Sequence, residues 1–338
     1  MSSNWRRRLL TCPLTLVAML VWWAASPVLF FAAAVADVFT TGSRPTVRFV
    51  AFISWWLFSE SFGIVMLSLA GAFHLPGYAD RIYRVQSWWM VLMLGGFCRI
   101  YGINITLEGL EHVSPGPVHV LSRHSSLIDT VMIGRLIANP LGLRLRYVFK
   151  KELLMDPSID IFGNHVPNVF VDRQSANSAG EIDVIERLAQ GCGPLEGVVI
   201  YPEGTLFTKQ RLQHILRRLQ EREDPLYAQA SVLRHLLPPR PGGALALLNT
   251  NTDIIFVAHA GFGEAHYLRD YLKGKVTGCR VQVRIWRVPA ASIPTDRTAR
   301  LVWLYKHWTA MDCWIDMVET RQSDGLKEMP LTHDDALP

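Results

Sequence analysis

Val118-His119-Val120-Leu121-Ser122-Arg123-His124-Ser125-Ser126-Leu127-Ile128-Asp129 passes from an apolar run to a helix start within one short stretch. Val118–Ser122 reads as a strand. Ser126 is a favoured N-cap, which places Asp129 at the third helical position. The same passage recurs downstream. Strands are predicted at Arg146–Lys150, Asn168–Asp172, Gly197–Tyr201, Asp253–Ala260 and Arg280–Val288. The last alternates, with Val281, Val283 and Ile285 on one face and Gln282 and Arg284 on the other. Helical patterns fall between them, at about 126–138, 178–190, 208–223, 226–236, 242–250 and 264–273. Interleaved strands and helices predict an α/β fold with a largely parallel central sheet flanked by helices. Trp303–Val318 reads as a closing helix, and the acidic tail 319–338 is expected to be disordered. No internal repeat is apparent.

Upstream, the pattern is different. No charge occurs between Leu9 and Ala36, longer than the roughly 20 helical residues a bilayer core requires. Phe49–Phe73 is a second apolar stretch, interrupted only by Glu60. An N-terminal hydrophobic helical hairpin is therefore expected ahead of the sheet. An acid at mid-membrane is unfavourable, so the second stretch reads equally as a partly inserted hairpin arm. The first is too long for a signal peptide and lacks a small-x-small cleavage site. Arg6, Arg7 and Arg8 should stay on the cytoplasmic side, and two crossings return the rest of the chain there, the inner membrane being the site in a bacterium. Arg44 and Arg48 in the connecting loop pull weakly the other way. Trp88–Phe97 is too short to span and reads as an interfacial helix, with Trp88 and Trp89 at headgroup level, or as one packed on the core. The expected organisation is thus membrane-anchoring helices over 1–100, a folded domain over 101–318, and a tail.

Composition agrees with this division. The chain has 338 residues, half of them hydrophobic, with 11 Trp and 15 Phe and only 19% charged: apolar for a soluble enzyme, too polar for a polytopic transporter. The five cysteines are scattered, which suits a reducing compartment and shows neither zinc spacing nor a disulfide framework. A net charge of +5 suits a surface facing anionic headgroups. It would also suit nucleic acid, but no recognition module for it is present.

Three turns carry residues with chemical potential. His124 and Asp129 are five apart, about 140° on one helix, so they meet only if the chain turns between them. Placed on the strand-to-helix turn, His124 can be reached by Asp129 from the first helical turn. Taken alone, Asp129 reads just as well as a capping-box acid. Tyr201-Pro202-Glu203-Gly204-Thr205 follows another strand, where backbone N–H groups can face a cleft; a simple tight turn accounts for it equally. Asn168–Arg173 ends a third strand on Arg173, whose planar fork suits phosphate as well as an ordinary surface pair with Asp172. Lys150-Lys151-Glu152-Leu153 is by itself a solvated cluster, and the basic face of helix 208–223 is either solvated or a dock for lipid headgroups, coenzyme A phosphates or an acidic carrier protein. His112, His119, His165, His214, His235, His259 and His266 belong to no motif.

In this order, H-x4-D, Lys-Glu-Leu, F-V-D-R and P-E-G-T resemble four landmarks of the glycerolipid acyltransferase family that makes phosphatidic acid from lysophosphatidic acid. The separations, about 45 residues to Arg173 and about 30 more to Glu203, are similar to the family's. Leu236-Leu237-Pro238-Pro239-Arg240-Pro241-Gly242-Gly243 resembles a proline–basic–glycine segment of its long, two-span members. The resemblance covers roughly 101–290.

It implies a membrane-bound O-acyltransferase acting on a lysophospholipid, with acyl-CoA or acyl carrier protein as acyl donor, no cofactor and no metal. By the same resemblance His124 is the general base and Asp129 its orienting partner. Arg173 holds the substrate phosphate, and Glu203, Gly204 and Thr205 shape the acceptor pocket. The chain departs from the family pattern at Arg123, where Asn is usual, and at Leu206, where Arg is usual. Lys209 or Arg211 is expected to replace the missing phosphate contact, with Lys150 a further candidate. Leu206 keeps open a remodelling acyltransferase or transacylase acting on another lysophospholipid. A non-catalytic membrane adaptor that binds lipid or carrier protein is the rival of a different class.

Overall fold

A computed structural model describes residues 2–40, 43–72, 76–172, 178–263 and 265–324. The chain forms two compact units with interleaved segments: Met1–Asn104, Thr130–Leu188 and Tyr267–Gly278 make the first; Ile105–Asp129, Ala189–His266 and Cys279–Pro338 the second.

The first unit begins with three long helices, α1 (Ser2–Val38), α2 (Pro45–Ala72) and α3 (Tyr78–Tyr101). The first two are long and apolar enough to cross a membrane, and they face different surroundings: 6% of the apolar window of α1 is buried against 44% of that of α2. The two pair through Trp22, whose Nε1 donates to Ser54 Oγ at 2.8 Å, and through Asp37, which accepts from the amides of Thr46 and Val47 at the start of α2. Glu60 does not face outward. It is 2% exposed, and its carbonyl accepts from Ser158. α3 buries one side of itself. Trp89, Leu94 and Phe97 are buried, while Trp88 is 45% exposed with its ring 4.5 Å from that of Phe62.

The second unit opens with β1 (Asn104–Glu108), a strand the sequence reading did not include, and β2 (Val118–Ser122). In the first unit, from Thr130 onward, α4 (Asp129–Ile133) passes through a π-helical turn into α5 (Asn139–Leu141). Next come β3 (Arg144–Lys150), α6 (Pro157–His165), the short β4 (Val169–Val171), parallel to β3, and α7 (Ser178–Ala189). The unpredicted α6 starts at a good local signal, Asp156 accepting from the Ile159 amide, with Pro157 in the first turn. Its buried Asp160 anchors α1, with Arg7 at 2.6 Å and Arg8 at 3.2 Å.

In the second unit follow β5 (Glu196–Ile200), α8 (Lys209–Glu221), α9 (Tyr227–Ala230), α10 (Pro241–Leu248) and β6 (Asp253–Ala260). The short α11 (Leu268–Leu272) belongs to the first unit, and β7 (Arg280–Val288) and α12 (Arg297–Ser323) complete the second. The strands of this unit lie in the order β1-β7-β6-β2-β5. β2 is parallel to both neighbours, and β7 is antiparallel to β6. Every residue of β2 is buried, as a parallel strand covered on both faces requires, whereas β7 alternates as its sequence predicts.

Two expectations need correction. The helix predicted at 226–236 stops at Ala230, because the amides of Arg234 and His235 donate to Asp312 instead of to carbonyls four residues back. The closing helix starts at Asp296, which caps it through the Ala299 amide, and continues past Val318 to Ser323. Glu319, assigned to the disordered tail, is therefore helical and pairs with His235 at 3.2 Å. The rest of that tail, 325–338, lies outside the described residues.

Candidate active site

Parallel register brings three distant residues to one edge of the second unit's sheet. Leu121 lies beside Ile200 and Ser122 beside Val257. Three positions beyond the first pair are His124 and Glu203; two beyond the second are His124 and His259. All three lie at the carboxyl ends of their strands, where open α/β sheets bind ligands.

His124 and Asp129 are brought together. His124 Nδ1 is 3.1 Å from Asp129 Oδ2. The same oxygen accepts the amides of Ser125 at 2.7 Å and Ser126 at 2.9 Å, and Ser126 Oγ accepts the Ile128 amide. The capping role and the pairing with His124 thus coexist in one carboxylate, because the turn presents two backbone donors and an imidazole to the same oxygen. Asp129 is fully buried, while the His124 side chain is 23% exposed. With Nδ1–H held by Asp129, the Nε2 lone pair is left to accept a proton. Burial by itself would raise the Asp129 carboxyl; the pull of His259 and then of His124 outweighs it and holds the group well below the usual carboxylate range.

Glu203 is buried differently. One carboxylate oxygen accepts the His124 amide at 2.6 Å, the other the Leu237 amide at 2.9 Å. Its side chain is therefore a brace beneath the turns. Burial pushes its pKa up to about 8, against the two amide donors and Arg123, which pull it down. Gly204 has φ of 71°, and a Cβ there would lie 2.8 Å from Arg240 Nε. The Phe207 amide donates to the His124 carbonyl at 2.8 Å, and the rings of Tyr201 and His124 are 4.6 Å apart.

The remaining expected site residues distribute as follows. Arg173 lies outside the described residues. Lys150 is in the first unit, 3.6 Å from Glu152. Thr205 is half-buried on the Glu203 turn, and Lys209 begins α8. Arg211 donates to the Leu206 carbonyl at 2.7 Å, which ties it to its own loop. A different guanidinium reaches the turn: Arg240 is exposed, lies over Gly204, and donates its amide to the Pro202 carbonyl at 2.9 Å. The proline–basic–glycine segment was the sequence signal for it. Arg123, at the departure from the family's Asn, is buried. Its guanidinium donates to the carbonyls of His259 and His235 and faces Glu319 at 3.8 Å.

Sequence reading assigned nothing to His259. Its Nε2 is 3.3 Å from Asp129 Oδ1, both side chains fully buried. His266 Nδ1 lies 2.9 Å from the Ser125 carbonyl, and His119 lies inside the sheet between the Val198 amide and Thr250. Only register could have singled out His259.

An α/β domain with a His–Asp pair at the carboxyl edge of its parallel strands is the class these features define. Residues 104–259 match the Acyltransferase family model. The fold is similar to the crystal structure of the 1-acyl-sn-glycerophosphate (LPA) acyltransferase PlsC from Thermotoga maritima, with a TM-score of 0.55 at 14% identity over 82% of this chain and 97% of that one. Comparison with curated proteins gave no significant match. The family match covers less than half of the chain, and the likeness to PlsC is one of fold.

Proposed function

We propose that this chain is a membrane-bound enzyme that moves a fatty acyl group from a thioester to the free hydroxyl of a lysophospholipid, with 1-acyl-sn-glycerol-3-phosphate as acceptor and phosphatidic acid as product. The observation that carries this reading is the 3.1 Å contact between His124 Nδ1 and a buried Asp129 carboxylate. That contact fixes the tautomer whose Nε2 can take a proton. In the reaction the acceptor oxygen attacks the thioester carbonyl while its proton passes to Nε2. The C–S bond then breaks, and the proton leaves on the thiol. Base assistance of this kind contributes about 10²–10⁴ in rate. Asp129 stabilises the imidazolium that forms between the two transfers. No protein nucleophile is needed, since the substrate supplies its own hydroxyl.

The acyl donor is acyl-CoA or acyl carrier protein. Arg240 over the Gly204 turn is suited to the acceptor's phosphate, the task the family gives to the residue that is Leu206 here. Arg173 is a second phosphate ligand on the strength of its motif. The apolar surface of α1 and the basic residues at its start favour two crossings with the enzyme on the cytoplasmic side. A lysophospholipid with a larger headgroup is the second reading, favoured by Leu206.

Membranes carrying His124→Ala should lose acyl transfer from radiolabelled acyl-CoA and acyl carrier protein to lysophosphatidate. Full retention of transfer would exclude this function. A panel of lysophospholipid acceptors ranks the two headgroup readings.

A further inference from the structure

Asp129 has two oxygens with unequal surroundings. Oδ2 receives His124 and two backbone amides. Oδ1 faces His259 Nε2 at 3.3 Å, out of hydrogen-bond alignment, and neither that oxygen nor either ring nitrogen of His259 has another hydrogen-bond partner among the described residues. A fully buried imidazole without a partner is unfavourable by the desolvation of its polar atoms. Among the described residues, the charged oxygen facing it is the carboxylate oxygen on the far side of the reactive pair. The ring is held in position: β6 fixes its backbone, Arg123 takes its carbonyl, and Phe262 packs edge-on at 5.9 Å between ring centroids.

We infer that His259 is a second imidazole on Asp129, a positioning residue that donates Nε2–H to Oδ1 while His124 takes the acceptor's proton. Catalytic hydrogen bonds of this kind commonly shorten and align in the substrate complex. The donor shares the carboxylate's negative charge between two rings and keeps the carboxyl plane aligned with His124. Without it, the whole charge faces His124 and favours the protonated base in the resting enzyme. The titratable and charged groups about this cluster are His124 and Asp129 on the first turn, Tyr201 and Glu203 on the second, Arg123 with Glu319 behind it, His259 on β6, and His266 beyond. Of these only His259 points a ring nitrogen at Oδ1. The inference rests on His124 being the base.

The test compares His259→Phe, which keeps a ring and removes the donor, with His259→Gln, which keeps a donor. The full-length protein in membranes is used, with kcat/KM measured against pH and folding checked by thermal unfolding. The acid limb, which follows protonation of the base, should move up by about one pH unit in His259→Phe and stay near the wild-type position in His259→Gln. Should His259→Phe fail to fold, His259→Met serves as the donor-free variant. A donor-free protein that loses rate equally at every pH, or a glutamine variant whose limb moves as far as the phenylalanine one, would overturn the assignment and leave His259 a packing residue. His124→Ala run in parallel separates the two ideas: transfer that survives it defeats the proposed function, whereas transfer lost there with an unmoved His259→Phe limb defeats only the role of His259.

Discussion

Two turns of the same kind meet in the second unit, each leaving a parallel strand and each burying a carboxylate. Asp129 after β2 and Glu203 after β5 are 0% and 1% exposed, yet their ionisation is pushed in opposite directions. Burial opposes charge in both. The carboxylate with two imidazoles beside it remains ionised far below the usual range, whereas the one held mainly by two backbone amides does not overcome its desolvation. A buried acid at a strand end is thus a chemical group or a structural brace according to its partners, and the strand-turn-acid pattern does not say which.

Substitutions should separate the two turns. Asp129→Asn keeps the shape and reverses the donor preference toward His124, so kcat should fall by about 10³–10⁴ with little change in KM; a loss under tenfold in steady-state assays would place Asp129 among the braces. Arg240→Ala should raise KM for lysophosphatidate about tenfold and leave kcat nearly unchanged, the loss of a charge-assisted contact, and Leu206→Arg in that background should recover part of it. Gly204→Ala forces a side chain into a left-handed turn and against Arg240, and should lower stability by about 1–2 kcal/mol in thermal or denaturant unfolding.

The smallest effect is the most diagnostic of the brace. The Glu203 pKa rises on folding from 4.5 to about 8. The stability this group confers is therefore fully present below its unfolded value and is lost as pH climbs through about 8. Glu203→Gln, which cannot ionise, should flatten the fall in unfolding midpoint over that window while acyl transfer persists. An unchanged pH slope would show that Glu203 stays charged.

Much of the architecture was legible because it is encoded locally. Apolar alternation in Arg280–Val288, the mostly apolar run of β2 and the two long apolar stretches each declare their element within a few residues. What escaped has a tertiary cause. The helix at 226–236 was cut short by Asp312, far along the chain, and Glu319 was drawn into α12 and the His235 cluster. At the site, the His124–Asp129 pair was open to a motif reading since both partners lie on one turn. Arg211 was a reasonable phosphate ligand by spacing and is instead tied to the Leu206 carbonyl, while Arg240 approaches from a segment more than thirty residues further on than Gly204.

The sequence alone determined that a strand would hand over to a helix at His124, that Asp129 could turn back toward it, and that two apolar helices would precede the fold, since propensity, capping and hydrophobic periodicity act over a few residues. Only the tertiary structure decided that Glu203 supports the turn from beneath, that Arg240 covers Gly204, and that His259 stands on the free side of Asp129. The Glu203 and His259 placements depend on strand register, which couples residues far apart in the chain through backbone hydrogen bonds, and the Arg240 placement on a loop fold; neither leaves a trace in local composition.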